Sequence, residues 1–193
     1  MLNILIFGPP GSGKGTQSLN IIKKYNLIHF STGNIFREEI KKQSKVGILA
    51  KKYIDKGCLV PDKIVVDIIS KNINSKNETK GFVFDGFPRT LRQAEFFDDF
   101  MNKRNTPVSL VISIEVEEQE LYNRILHRAK DSDRSDDNLK IIKNRIKVYK
   151  KQTEPLIKYF KAQDKYWPIN GMADIDTVFN RITNVIDNYI ENK

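Results

Sequence analysis

Residues 8–16 read Gly8-Pro9-Pro10-Gly11-Ser12-Gly13-Lys14-Gly15-Thr16 and follow the apolar run at residues 2–7. A helical pattern begins at Thr16, so a buried strand, a glycine-rich turn and a helix succeed one another. This context predicts a phosphate-binding loop, because glycines let successive backbone N–H groups point at one anion. The helix adds the positive end of its dipole, and Lys14 is placed to reach the outer phosphates. We therefore expect a nucleotide polyphosphate as ligand.

The stretch departs from the general phosphate-loop pattern at one position. That pattern has Ser or Thr directly after the lysine, whereas here Gly15 follows Lys14 and Thr16 comes one residue later. The alternative interpretation is a glycine-rich turn without a ligand. The strand before it, the lysine within it and the helix after it all favour the phosphate loop.

The composition indicates a single globular domain. The 193 residues are 39% hydrophobic and 30% charged, and no apolar run is long enough to span a membrane. We expect no secretory signal, because the first apolar run ends in the phosphate loop. One cysteine, Cys58, excludes an internal disulfide and a zinc-binding cysteine cluster, and these features predict a cytoplasmic protein without structural zinc.

The basic residues differ in how they are distributed. The net charge is +9, and the lysines are spread along the chain, which indicates a solvated surface rather than a nucleic-acid interface. Arginine is used sparingly, with nine among 33 basic residues. Arginines therefore mark places where a planar, bidentate contact is needed.

Alternation of strand and helix patterns predicts an α/β fold with a parallel sheet covered on both faces. Five apolar runs are typical of strands, at residues 2–7, 28–31, 82–85, 108–116 and 166–169. Helical patterns lie at residues 16–25, 62–73, 90–104, 118–128, 138–160 (with a bend or break at Pro155) and 175–190. The ligand is then expected beyond the carboxyl ends of the strands.

Two segments interrupt this alternation. Residues 31–60 are helical and rich in lysine, and residues 129–137 form a short polar stretch. Both adjoin the expected site, where such segments can close over a ligand. We predict one domain over residues 1–193 with these two inserts.

A second motif, Asp85-Gly86-Phe87-Pro88-Arg89, follows the third predicted strand. A carboxylate at a strand end beside a phosphate loop is suited to Mg²⁺, directly or through water. Gly86 allows the backbone to approach a ligand, and Arg89 offers a guanidinium fork to a phosphate. A tight turn with a solvated arginine is the alternative, which the phosphate loop upstream disfavours.

Further arginines accompany these motifs. Arg37 follows Ser31-Thr32-Gly33-Asn34, and Arg124, Arg128, Arg134 and Arg145 flank or lie in the polar stretch. Fixed cations and Mg²⁺ stabilise the charge that spreads over a moving phosphoryl group, and no nucleophilic side chain is needed. The pattern therefore favours phosphoryl transfer.

Together these motifs resemble the adenylate kinases of the nucleoside monophosphate kinase family. The resemblance rests on the loop at residues 8–16, Ser31-Thr32-Gly33, Asp85 to Thr90 with Gln93, Asp133 to Asp137 with Arg145, and Asn170-Gly171. It covers essentially the whole chain. It implies a five-stranded parallel sheet of the P-loop NTPase type, a small AMP-binding helical insert, a lid of the short form and the reaction ATP + AMP = 2 ADP with Mg²⁺.

The resemblance also implies roles for particular residues. ATP phosphates lie on Gly11, Ser12, Gly13, Lys14, Gly15 and Thr16, and the ATP adenine lies near the backbone of Gly171. AMP binds through Thr32, Arg37, Cys58, Leu59, Val60, Gly86, Phe87, Pro88, Arg89 and Gln93, with Gln93 on the adenine edge. Arg128, Arg134 and Arg145 act on the phosphates together with Lys14 and Arg89, and Arg124 is a weaker candidate. Mg²⁺ lies near Asp85 and Thr16 through water, and Asp136 is tied to Mg²⁺ and lid closure.

The remaining expectations follow from these assignments. Asn34 stands where the family usually has Asp, and we expect activity to survive because an amide keeps the hydrogen bonds. Cys58 is expected to be a small buried residue rather than a nucleophile. The partners are small molecules only, with no nucleic acid and no membrane, and a monomer is expected.

Three other functions compete with this interpretation. A UMP/CMP kinase would share the fold, although Thr32 and the run from Arg89 to Gln93 resemble the AMP-specific pattern. A regulatory P-loop protein without catalysis would have lost Lys14, Arg89 or the lid arginines. A nucleic-acid-binding ATPase is suggested by the basic charge alone, and its binding would depend steeply on salt.

Overall fold

The structure, a computed structural model, describes residues 1–76, 79–130 and 136–192. Its centre is a five-stranded sheet in which every pairing is parallel and the strand order is β2-β3-β1-β4-β5. The strands are β1 (Leu2–Phe7), β2 (Ile28–Ser31), β3 (Gly81–Asp85), β4 (Leu110–Glu115) and β5 (Tyr166–Asn170). The predicted α/β class and all five strands are confirmed, with ends that move by two residues at most.

Helices cover both faces of this sheet. The described residues contain α1 (Lys14–Tyr25), α2 (Thr32–Lys41), α3 (Lys45–Ile54), α4 (Asp62–Asn74), α5 (Leu91–Lys103), α6 (Glu118–Lys130), α7 (Leu139–Val148), α8 (Leu156–Lys161) and α9 (Ile175–Glu191). Alternate residues of β1 face two separate cores. Leu5 and Phe7 join the core beneath α4, α5 and α8, whereas Ile4 and Ile6 join the core beneath α1 and α9. A strand that is buried on both faces has a continuous run of apolar residues, and this run is the reason that β1 could be predicted from the sequence.

The long helix expected over residues 138–160 is interrupted earlier than the sequence predicted. After α7 the backbone forms one π-helical segment, Tyr149–Thr153, and α8 begins only after Pro155. A π segment inserts an extra residue into a helical turn and turns a side chain that would otherwise face elsewhere. Here Thr153 is buried and its hydroxyl donates to the carbonyl oxygen of Arg89 at 3.0 Å.

Parallel pairing gathers the ends of the central strands at one edge of the sheet. Asp85 of β3 lies in register with Ile6 of β1 and with Ser31 of β2. Since β1 runs directly into the phosphate loop, the loop, Ser31 and Asp85 meet at this edge. The predicted position of the site, beyond the carboxyl ends of the strands, follows from this register.

Candidate active site

The phosphate loop depends on backbone conformations that glycine adopts readily. Gly8 has φ 143°, and a side chain there would meet the carbonyl oxygen of Ile114 on β4 at 2.7 Å. Gly13 has φ 93° and caps α1, so the helix begins at Lys14, two residues before the predicted start. The first amide groups of α1 therefore lie at the cleft with no partner within the helix, as anion binding requires.

Lys14 folds back over its own loop. Its Nζ donates to the carbonyl oxygens of Gly8 at 2.7 Å and Pro9 at 2.9 Å, and reaches Ser12 Oγ at 3.5 Å. Burial lowers the pKa of Lys14 to about 7, Asp85 opposes this shift, and the positive charges of Arg89, Arg145 and Arg128 add to it. The lysine is thus held by neutral oxygens in a buried place that disfavours its charge.

Asp85 places a carboxylate beside the loop. Ser31 Oγ donates to Asp85 Oδ2 at 3.4 Å, and a side chain at Gly15 would begin 3.8 Å from the same oxygen. Across the described ranges, no group of three or more His, Cys, Asp or Glu residues could hold a metal ion. A single carboxylate oxygen beside a phosphate loop nevertheless suits Mg²⁺, which keeps several waters and takes other ligands from substrate phosphates.

Arg89 is held both at its backbone and at the Nε of its guanidinium group. Its Nε donates to the carbonyl oxygen of Gly86 at 2.7 Å, and its backbone N–H donates to Gln93 Oε1 at 2.8 Å. Burial lowers the pKa of Arg89, as does repulsion from Arg145, while Asp85 and Asp136 oppose the shift. A buried guanidinium facing other cations is an arrangement that a bound phosphate would relieve.

The segment around Arg89 is bound to the start of two other helices. Thr32 Oγ1, at the start of α2, donates to the carbonyl oxygen of Gly86 at 2.8 Å. Gln93 is 1% exposed, and its Nε2 donates to Asp62 Oδ1, at the start of α4, at 2.7 Å. Thr90 caps α5 by accepting from the Gln93 N–H at 3.2 Å. The peptide between Phe87 and Pro88 is cis.

The opposite side of the cleft, which we call the lid-side wall, consists of Arg128, Asp136, Asp137 and Arg145. Arg128 donates from Nε to Asp137 Oδ2 at 2.8 Å and from Nη2 to Oδ1 at 2.7 Å, a bidentate pair. Arg145 Nη1 contacts Asp136 Oδ2 at 2.7 Å and Asp137 Oδ1 at 3.3 Å. The Asp137 side chain is 1% exposed, so two arginines share a buried carboxylate.

The turn after α3 packs against the helix that carries Arg145. Asn144 Nδ2 donates to the carbonyl oxygen of Lys56 at 2.6 Å, and a side chain at Gly57 would meet the carbonyl oxygen of Ile141 at 2.9 Å. Cys58 is exposed, so the expectation of a buried cysteine is wrong. The physical reason is that Gly57, with φ 67°, takes the close contact with α7, while Cys58 Sγ lies 3.8 Å from Asn144 Nδ2 at the exposed edge of this contact.

These elements enclose one cleft of about 740 Å³ that brings most of the predicted residues together. Its lining includes Gly11, Ser12, Gly13, Lys14, Gly15, Thr16, Thr32, Arg37, Cys58, Leu59, Val60, Asp85, Gly86, Pro88, Arg89, Gln93, Arg124, Arg128, Asp136, Arg145 and Gly171. Phe87 instead packs its ring against Phe97 at 5.1 Å in the core, so its side chain faces away from the cleft.

Arg134 lies outside the described residues. Arg124, the weaker candidate, donates to Glu120 Oε1 at 2.7 Å and to the carbonyl oxygen of Gly171 at 3.0 Å.

Sequence reasoning did not assign roles to three residues that shape the site. Asp137 binds both lid-side arginines, Asp62 binds Gln93, and Thr153 binds the backbone of Arg89. Asp137 had a signal, because it adjoins Asp136 in the polar stretch. Asp62 and Thr153 had none, because each acts through a partner 31 or 64 positions away.

The fold and the site together define a class of protein. A parallel sheet with a phosphate loop after its first strand, a strand-end carboxylate and several cations around one cleft is typical of P-loop enzymes that transfer phosphoryl groups. Where the structure describes the chain, no helix is long and apolar enough to cross a membrane.

Comparison with known proteins gives the particular family. Residues 6–165 match the model of the adenylate kinase family. The chain is 50% identical over 188 residues to the adenylate kinase of Parabacteroides distasonis, covering 97% of this chain and 99% of that protein. It is 48% identical over 187 residues to that of Bacteroides thetaiotaomicron (97% and 99% covered) and 42% identical over 189 residues to that of Flavobacterium psychrophilum (97% and 100% covered). The chain belongs to the adenylate kinase family, and its activity is the transfer ATP + AMP = 2 ADP.

Proposed function

We propose that the cleft holds ATP at the phosphate loop and AMP at the segment from Gly86 to Gln93, with the lid-side wall between their phosphates. The observation that carries this proposal is the convergence of Lys14, Arg89, Arg128 and Arg145 on one cleft. Four cations around a single space are expected where two polyanions meet and exchange a phosphoryl group.

On the donor side, the backbone N–H groups from Gly11 to Thr16 hold the ATP phosphates. Lys14 exchanges the carbonyl oxygens of Gly8 and Pro9 for the transferred phosphoryl group. The negative charge of this group favours the protonated, positively charged form of the lysine. The adenine of ATP lies at Gly171, whose N–H donates to the carbonyl oxygen of Glu115 at 2.8 Å and holds this turn against β4. A side chain at Gly171 would meet Ile114 Cγ2 at 2.6 Å, so glycine allows this turn to pack closely against β4.

On the acceptor side, Arg37 and Arg89 hold the phosphate of AMP and Gln93 reads the adenine. Thr32 fixes the Gly86 carbonyl, and the backbone of residues 58–60 closes the base pocket, where Val60 is buried. Arg37 Nη2 donates to Asn34 Oδ1 at 2.5 Å, so the amide at residue 34 still positions this arginine. AMP already carries an ionised phosphate, and transfer therefore requires no general base.

During transfer, charge spreads over the moving phosphoryl group, and Lys14, Arg89, Arg128 and Arg145 stabilise it from separate directions. Arg134 is proposed to join them from the lid. Since Asp136 and Asp137 already orient two of these arginines, little reorganisation is needed when the phosphates arrive. Closure of residues 31–60 and 129–137 over the nucleotides would exclude water and protect ATP from hydrolysis.

Mg²⁺ is proposed as the cofactor. Asp85, through water, and Thr16 would hold it beside the ATP phosphates, and when bound it neutralises phosphate charge. No structural zinc is proposed, since Cys58 is the one cysteine. We also propose a cytoplasmic monomer of one domain, a state that sedimentation of the purified chain would test.

The experiment that tests the proposal is a coupled assay of ADP formation with Mg-ATP and AMP, GMP, CMP or UMP as acceptor. A strong preference for AMP supports the assignment of the acceptor side. Preference for a pyrimidine nucleotide would give the same fold the activity of a UMP/CMP kinase. Binding of ATP without turnover of any acceptor would contradict the catalytic assignment, and omission of Mg²⁺ tests the cofactor.

A further inference from the structure

The Gln93 amide is held at both ends by groups that each accept one orientation only. Asp62 Oδ1 receives the Nε2–H at 2.7 Å, and the backbone N–H of Arg89 donates to Oε1 at 2.8 Å. A carboxylate can only accept and a backbone N–H can only donate. If the amide turned over, Oε1 would face a carboxylate and Nε2 would face an N–H. The chemistry of its two partners therefore determines which end of the Gln93 amide is the oxygen.

The amide has one donor and one acceptor left for a ligand. A primary amide offers two N–H groups and two lone pairs on oxygen, and one of each is used by Asp62 and Arg89. Gln93 lines the cleft, whereas Asp62 lies behind it at the start of α4. The remaining N–H and lone pair therefore form an edge of fixed sense, with a donor on one side and an acceptor on the other.

The sense of that edge decides which purine it matches. Adenine presents an acceptor at N1 beside a donor at its 6-amino group, whereas hypoxanthine and guanine present a donor at N1 beside an acceptor at O6. An amide that could turn over would match either arrangement equally well. An amide that cannot turn over matches one and leaves unpaired polar groups against the other, which costs affinity.

We propose that Asp62 is a specificity-determining residue of the acceptor site, because it stops the Gln93 amide from turning over and so makes it reject 6-oxopurine nucleotides. The inference rests on the proposed role of Gln93 in reading the AMP base. Asp62 is a positioning residue: it acts on the substrate through Gln93. The backbone N–H of Arg89 supplies the second half of this restraint and stays in place when Asp62 is changed.

The test uses Asp62→Asn, which keeps size and shape. The asparagine amide can present either its oxygen or its N–H₂ to Gln93, so it tolerates both orientations. The readout is the ratio of kcat/KM for AMP to kcat/KM for IMP, because IMP differs from AMP only at the two atoms that Gln93 is proposed to read. We expect this ratio to fall about tenfold, mainly through faster use of IMP. The control is Asp67→Asn, an exposed aspartate on the same helix, which should leave the ratio unchanged.

A second variant separates failure of this inference from failure of the proposed function. Gln93→Leu removes both hydrogen bonds to the base and should lower the AMP preference whatever Asp62 does. If Gln93→Leu lowers the ratio and Asp62→Asn does not, the role of Asp62 is overturned and that of Gln93 stands. If neither changes it, Gln93 does not read the base and both fail. An equal loss of rate with AMP and IMP in Asp62→Asn, with an unchanged unfolding midpoint, would also contradict the proposal.

Discussion

The phosphate loop and the lid-side wall hold their cations in opposite ways. Lys14 is bound by the neutral carbonyl oxygens of Gly8 and Pro9, whereas Arg128 and Arg145 are bound by the carboxylates of Asp136 and Asp137. Burial of Lys14, together with the positive charges of Arg89, Arg145 and Arg128, lowers its pKa to about 7, and Asp85 only partly opposes this shift. On the lid-side wall, the carboxylates compensate the charge of each arginine and fix its direction.

This difference indicates that the two regions would respond differently when a polyanion binds in the cleft. Burial disfavours the charge of Lys14, so we expect this lysine to gain its full charge only when a phosphate binds beside it. Arg128 and Arg145 are already oriented by carboxylates, so a phosphate that binds to them would share these arginines with Asp136 and Asp137. We therefore propose that the loop contributes affinity when a polyanion binds, whereas the lid-side wall contributes geometry.

The largest effect is expected at Arg89, whose pKa responds to Arg145 and Asp136 of the lid-side wall and whose charge lowers the pKa of Lys14 in the phosphate loop. Arg89→Lys keeps the charge but cannot bind the Gly86 carbonyl and a phosphate in two directions at once. We expect kcat/KM for AMP to fall by about a thousandfold in the coupled assay. Arg92→Lys, at an exposed arginine three residues later, is the control and should change it little. Unchanged turnover in Arg89→Lys would remove Arg89 from its proposed role.

A smaller effect should appear in stability when the lid-side wall loses its buried charge. Asp137→Asn leaves one acceptor and turns an amide N–H₂ toward the guanidinium groups, so the free energy of unfolding should drop by about 2 kcal/mol. Urea unfolding measures it. Glu120→Gln, which weakens the more exposed pair with Arg124, should lower the free energy of unfolding much less than Asp137→Asn does. Equal losses of unfolding free energy in the two variants would mean that the ion pairs of the lid-side wall stabilise the fold no more than an exposed pair does.

The smallest effect is expected at Asn34, where the family usually has Asp. Asn34→Asp would turn the hydrogen bond to Arg37 into an ion pair on an exposed part of α2. Exposed pairs contribute little, so KM for AMP should change by no more than about threefold. A change beyond about tenfold would show that a carboxylate at this position does more than orient Arg37.

The same contrast separates what the sequence could predict from what it could not. The phosphate loop is one continuous stretch after a strand buried on both faces, so its ligand and its place in the fold followed from local pattern. The lid-side wall and the Asp62–Gln93 pair join segments that the chain brings together only by folding. Their members could be named as candidates, as Arg128 and Gln93 were, but their partners could not. The π segment that turns Thr153 toward Arg89 had no local signal either.

The most direct test of this account is the proton taken up when ATP binds. If the pKa of Lys14 is about 7 in the free protein, the lysine is mostly neutral at pH 8 and must gain a proton to bind phosphate as a cation. The affinity for ATP should therefore fall as pH rises above 7, and titration calorimetry at pH 8 in buffers of different ionisation enthalpy should show uptake of nearly one proton per Mg-ATP. Binding of AMP, which is proposed to lie away from Lys14, should be accompanied by much less proton uptake. A binding enthalpy of ATP that does not depend on the buffer, or equal uptake with AMP, would contradict the account.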